Sequence, residues 1–154
     1  MNTRNKLTTL SLLLALIAAA CGGGQTDTQA ASAEAPASET SDESTPGIRL
    51  VSAQAGKEIQ DNPPEDLVIL DVRTPEEFAA GHLEGAILVD FFDEDFAEQL
   101  AELDPDVPYL LYCNSGNRSG QTIPLLDELG FTDVADVDGG IQAWVDNGLP
   151  TVIP

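Results

Sequence analysis

From Gly47 to the carboxyl terminus the chain alternates short apolar runs with stretches of helical period, and that alternation limits the possible folds more than any other feature. The runs "IRLV" (Ile48–Val51), "LVILDV" (Leu67–Val72), "AILVD" (Ala86–Asp90), "PYLLYC" (Pro108–Cys113) and "DVADV" (Asp133–Val137) read as five strands. Between the second and third, Thr74 is placed to cap a helix, Pro75 suits its first position, and Glu76 and Glu77 complement its dipole. In "DEDFAEQLAEL" the residues Phe96, Leu100 and Leu103 share one helical face. "RSGQTIPLLDELG" predicts a helix from about Ser119 that tolerates Pro124 early in its length, and "GIQAWVDNG" a last helix stopped by Gly148. Strand and helix in regular turn predict an α/β fold, with a largely parallel five-stranded sheet and helices on both faces.

The first 46 residues differ in kind. "MNTRNK" is basic and "LTTLSLLLALIAAA" (Leu7–Ala20) is apolar, the two opening regions of a secretory signal. As a helix the run reaches only about 21 Å, less than the roughly 30 Å of a bilayer core. "LIAAACGG" resembles the lipobox of bacterial lipoproteins, in which the cysteine, here Cys21, becomes the lipidated first residue of the mature chain. By the same resemblance, Gly22 after that cysteine implies the outer membrane, facing the periplasm. Gln25 to Pro46 holds no aliphatic residue larger than alanine and no aromatic one, so it cannot offset its ordering entropy by burial. The expected organisation is a lipoprotein signal over 1–20, a tether over 21–46 and one folded domain over 47–154.

Charge narrows the partners. The 154 residues include 27 acidic and 6 basic side chains, so there is no basic patch for nucleic acid and the surface is a well-solvated anionic one. Lysine occurs only at Lys6 and Lys57, a pattern that suits a salt-rich medium. Contact with a membrane is expected through the lipid anchor alone.

The stretch "LLYCNSGNRSGQ" (Leu110–Gln121) sets a thiol at the carboxyl end of a strand, before a polar, glycine-broken arc and a helix. Ligands of open α/β sheets collect at such ends. Cys113, Asn114, Ser115, Gly116, Asn117 and Arg118 would curl into a nest of backbone amides that favours an anion, followed by Ser119 at the helix start. A helix terminus and an adjacent arginine lower a thiol's pKa, so a thiolate is expected at neutral pH. The polar far side of the loop argues against a cysteine kept only for packing.

"CNSGNRS" (Cys113–Ser119) resembles the active-site loop of the rhodanese family of sulfurtransferases. "LDVRTPEEFAAGHLEGAILVD" (Leu70–Asp90) is similar to that family's D-V-R…E-F…G-H-I-P-G-A segment, and "DGGIQAWVDNGLP" (Asp138–Pro150) to its G-G…A-W…G-P ending. The resemblance runs from about Ile48 to the end. Glu84 stands where the family usually has proline, and Ile141 where relatives are often aromatic.

What the resemblance implies is a ping-pong transfer. The Cys113 thiolate takes a sulfane sulfur from a small donor, thiosulfate or a persulfide, and passes it to a thiol or cyanide acceptor or to a protein acceptor. The amides of Asn114 to Ser119 would cradle the terminal sulfur, with no cofactor and no metal. Arg118 would bind an anionic donor or anchor the loop, and Asp71 and Arg73 would brace neighbouring loops. His82, the single histidine, is structural in the family pattern, so a Cys-His pair of the protease kind is the weaker reading. Certain phosphatases share the fold but carry one more residue in the loop; four residues separate Cys113 from Arg118, the sulfurtransferase length. A non-catalytic binding or persulfide-carrier module is the alternative, against which stands the retained cysteine. An exported domain with one thiol would also need an external reductant.

Overall fold

The computed structural model describes residues 47–154, so Cys21, the signal and the tether lie outside the described residues. Within them the elements run β1 (Ile48–Val51), α1 (Ala53–Asp61), β2 (Val68–Asp71), α2 (Pro75–Ala80), β3 (Ala86–Leu88), α3 (Phe96–Ala101), β4 (Tyr109–Tyr112), α4 (Asn117–Glu128), β5 (Val134–Val137) and α5 (Gly140–Asp146). All five strands are parallel, in the order β1-β5-β4-β2-β3. The strand runs read from the sequence are all present, and the fold is the α/β one they predicted.

Period two along the strands divides the core. In β4, Leu110 and Tyr112 face the side shared with Val51, Ile69, Val137 and Trp144, whereas Tyr109, Leu111 and the following Cys113 face Leu70, Leu100, Leu126 and Val134. The first side is closed by α1 and α5, and the second by α3 and α4. Trp144 is fully buried and its indole N–H donates to the Pro150 carbonyl at 2.9 Å. Each such large side chain, fully buried, contributes about 1.5–3 kcal/mol by the area it removes from water.

Two helices differ from the sequence reading. Helix α1 was not predicted, because "AQAGKEIQD" offers small residues and a glycine in place of an apolar stripe. Gly56 is there for contact: a Cβ on it would lie 3.2 Å from Val137 and 3.3 Å from Trp144. Helix α4 starts at Asn117, so Pro124 falls in the body of the helix and denies the Gly120 carbonyl its N–H donor. The helix passes through the proline without a break.

Strand order decides where a site forms. From β2 the chain moves outward to β3, and from β4 it moves the opposite way to β5. The loops after β2 and β4 therefore diverge and leave a crevice at the carboxyl ends of these strands.

Candidate active site

Cys113 follows the last residue of β4 and is 1% exposed. One side of the thiol packs in the apolar cluster with Val72, Val89 and Leu111. The other side meets backbone amides. Gly116, in the left-handed region at φ 85°, turns the chain so that its N–H donates to Cys113 Sγ at 3.2 Å. Gly116 is also the N-cap of α4 and supplies no side chain, which leaves the first amides of the helix free for the sulfur.

Burial pushes the Cys113 thiol up, but the Ser119 amide and hydroxyl and the amides of Ser115 and Arg118 together outweigh it, and the pKa falls below the ordinary cysteine value. The loop thus stabilises negative charge on sulfur. Of the predicted cradle, Ser115, Gly116, Arg118 and Ser119 act on the sulfur. The Asn114 carbonyl instead accepts from the Gln142 amide at 3.0 Å, and the Asn117 side chain accepts from Gln121 at 2.7 Å.

Helix α5 holds the loop from behind. Its Ile141 amide donates to the Cys113 carbonyl at 2.9 Å. This approach requires glycine at 140, since a Cβ there would sit 2.4 Å from the Cys113 carbonyl oxygen, with φ at +58°. Nothing local to "DGG" (Asp138–Gly140) announces this close approach.

Arg118 makes a two-pronged ion pair with Glu77, both N–O distances being 2.7 Å, and its guanidinium lies 5.6 Å from the exposed ring of Phe92. Glu77 also completes a capping box with Thr74 at the start of α2. Hydrogen bonding from Arg118 draws the Glu77 carboxyl from 4.5 down to about 2, with the Thr74 amide adding to the effect and burial opposing it. Arg118 is raised in turn, Glu77 being the chief cause. Its charge is therefore already matched in the free protein. In the sequence Glu77 shows only as a partner of the helix dipole, and nothing local announces the ion pair across 41 residues.

Asp71 and Arg73 form a buried pair at 2.7 Å, and Arg73 also donates to the Gly81 carbonyl at 2.8 Å, tying β2 to the end of α2. Burial lowers the Arg73 pKa, but the bonds and charge of Asp71 leave it raised overall. His82 stacks on Phe78 with ring centroids 3.7 Å apart, and its Nδ1 lies 3.0 Å from the Phe78 carbonyl oxygen, not against the thiol. Beside Asn114 opens a cleft of about 500 Å³, lined by Arg73, Glu77, Gly81, Ile141, Val145 and Asp146 among others. Among the described residues no cluster of three or more His, Cys, Asp or Glu side chains is placed to hold a metal ion.

A family model described as a rhodanese-like domain matches residues 52–147. Thiosulfate sulfurtransferase 16, chloroplastic, of Arabidopsis thaliana is 42% identical over an alignment spanning 53% of this chain and 77% of the relative. The thiosulfate sulfurtransferase GlpE of Pseudomonas putida is 40% identical, over 52% of this chain and 71% of its own. Among solved structures, a rhodanese-related protein from Thermoplasma volcanium superimposes with a TM-score of 0.61 at 31% identity, covering 70% of this chain and 100% of that one.

Proposed function

The chain belongs to the rhodanese-like domain family, and on that premise we propose that it is a sulfurtransferase carrying a persulfide on Cys113. The observation that carries this reading is the ring of amides and the Ser119 hydroxyl around Cys113 Sγ, which lowers the thiol's pKa in spite of its burial. With thiosulfate as donor, the thiolate attacks the sulfane sulfur. A Cys113–sulfur bond forms, the donor's S–S bond breaks, and sulfite leaves with the electron pair. The acceptor, a thiol or cyanide, then attacks the terminal sulfur and the Cys113 thiolate departs. The same amides stabilise negative charge before and after each step. Arg118, paired to Glu77, fixes the start of α4 beside α2 more than it offers a free cation to the donor. Asp71 and Arg73 set the loop after β2 against the end of α2.

Two alternatives are weaker. A phosphatase needs a wider loop than the four residues between Cys113 and Arg118. A non-catalytic binding module has no use for a thiol held as an anion. For the rest of the chain we propose that Cys21 is lipidated and that residues 21–46 tether the domain outside the cytoplasm, on the strength of the lipobox-like "LIAAACGG".

The test is intact mass before and after incubation with thiosulfate, with Cys113→Ser as control. Gain of one sulfur by the parent alone is expected. Absence of an adduct with hydrolysis of an aryl phosphate favours the phosphatase, and absence of both the binding module.

A further inference from the structure

Helix α5 turns one face to the reactive loop and to the cleft beside it. Its Ile141 and Gln142 amides donate to the Cys113 and Asn114 carbonyls. Val145 and Asp146 follow one turn later on the same side of the helix, and all four residues line the cleft of about 500 Å³ together with Asn114. Ile141 is buried and Val145 is 55% exposed, so the two form an apolar strip along one wall. The charges of the cleft are unevenly matched. Arg73 is paired to Asp71 and Glu77 to Arg118, while the other two cations of the described residues, Arg49 and Lys57, are paired to Asp133 and Asp61. Asp146 is exposed and has no ion pair among the described residues. It is also the last residue of α5, where the helix dipole disfavours a carboxylate. Helix stability therefore does not account for it.

We propose that Asp146 determines which acceptor the domain uses, selecting small thiols that carry a positive charge, of the aminothiol class, over thiols that carry a carboxylate. This rests on the sulfurtransferase reading of Cys113. The acceptor loses its thiol proton to solvent and attacks the outer sulfur of the Cys113 persulfide. A new S–S bond forms, the bond between Cys113 and that sulfur breaks, and the Cys113 thiolate leaves with the electron pair. During this step the short carbon chain of the acceptor lies along Ile141 and Val145, and its ammonium group lies against Asp146. A cleft of this volume suits a small molecule. An acceptor with a carboxylate in place of the ammonium meets the same side chain as a like charge.

The experiment measures kcat/KM of the full chain at low salt for three acceptors, cysteamine, β-mercaptoethanol and mercaptoacetate, with thiosulfate as donor. Each charged acceptor is read relative to the uncharged one, so intrinsic thiol reactivity cancels between variants. In Asp146→Asn the cysteamine ratio should fall about threefold and the mercaptoacetate ratio rise about threefold, as expected for one unit charge a few ångströms away in a solvated cleft. Glu65→Gln removes an equal charge from an exposed position ahead of β2, at the far end of the sheet, and should leave both ratios in place. In the parent the preference should fade at 1 M salt, where the Debye length is about 3 Å. Unmoved ratios in Asp146→Asn overturn the proposal. So do equal shifts in both variants, which would assign the preference to the field of the whole domain. If no persulfide forms, the sulfurtransferase reading fails by itself, and the charge preference of the cleft is read directly at the Cys113 thiol. Cationic and anionic methanethiosulfonates form a mixed disulfide with it and release methanesulfinate, and their rate ratio should shift in Asp146→Asn in the same sense. A ratio that does not shift overturns the role of Asp146.

Discussion

Glu77 serves two partners with one carboxylate, closing the capping box of α2 and holding Arg118 across the crevice. Its folded-state pKa is depressed to about 2 from 4.5, so the stability it supplies is fully present above pH 4.5 and is lost as pH falls toward 2. The side chain is 31% exposed, and solvent screening trims the full linkage value to about 1–2 kcal/mol. Glu77→Gln should therefore be less stable by that amount at pH 7 in urea unfolding. The gap should narrow below pH 4.5 and be nearly closed by pH 2, where the parent carboxyl is half protonated. A gap of constant size down to pH 2 would mean that the capping geometry, not the charge, was lost.

Helices α4 and α5 contribute to the site in opposite ways, one through free amides and the other through close approach. Gly140→Ala should cost about 2–3 kcal/mol or more, since a side chain at φ +58° is strained and its Cβ would meet the Cys113 carbonyl at 2.4 Å. Loop order around the thiol should fall with it, read as faster amide exchange at Ile141 and Gln142. Gly120→Ala in α4 is the contrast: nothing lies within 4 Å of the added Cβ, and the conformation is an ordinary helical one. It should gain about 0.4–1 kcal/mol in thermal or urea unfolding. These glycines also mark how far a sequence can be read. Strands announced themselves through β-branched runs, and α2 through Thr74, Pro75 and Glu77, because such signals are local. Helix α1 stayed hidden although Ser52 caps it at 3.2 Å from the Ala55 amide, since its buried face is built from alanine and Gly56. The cysteine loop was legible as a thiol before a glycine turn and a helix. Its partners were not: Glu77 meets Arg118 and Gly140 meets Cys113 only after the sheet has brought distant segments together.

Residues 47–154 carry twenty-two acidic side chains against four basic ones, a balance of −18. Every one of those cations is already paired: Arg49 with Asp133, Lys57 with Asp61, Arg73 with Asp71 and Arg118 with Glu77. The remaining carboxylates face one another across a small domain with no positive charge to spare. Two consequences share this cause. Self-repulsion weighs on the compact state and is screened by salt, whose Debye length falls from about 10 Å at 0.1 M to about 3 Å at 1 M. The Tm should thus rise between these concentrations of sodium chloride. The second consequence falls on the substrate, because a dianion such as thiosulfate must enter a cleft lined by Glu77 and Asp146, beside an arginine whose charge is already matched. Screening weakens the repulsion that opposes its approach, so the KM for thiosulfate should fall as ionic strength rises, while an uncharged sulfane-sulfur donor should show little change. A protein that drew thiosulfate in by a free Arg118 would behave in the opposite sense. A thiosulfate KM that climbs steadily with salt would show that the local cation outweighs the field of the whole molecule.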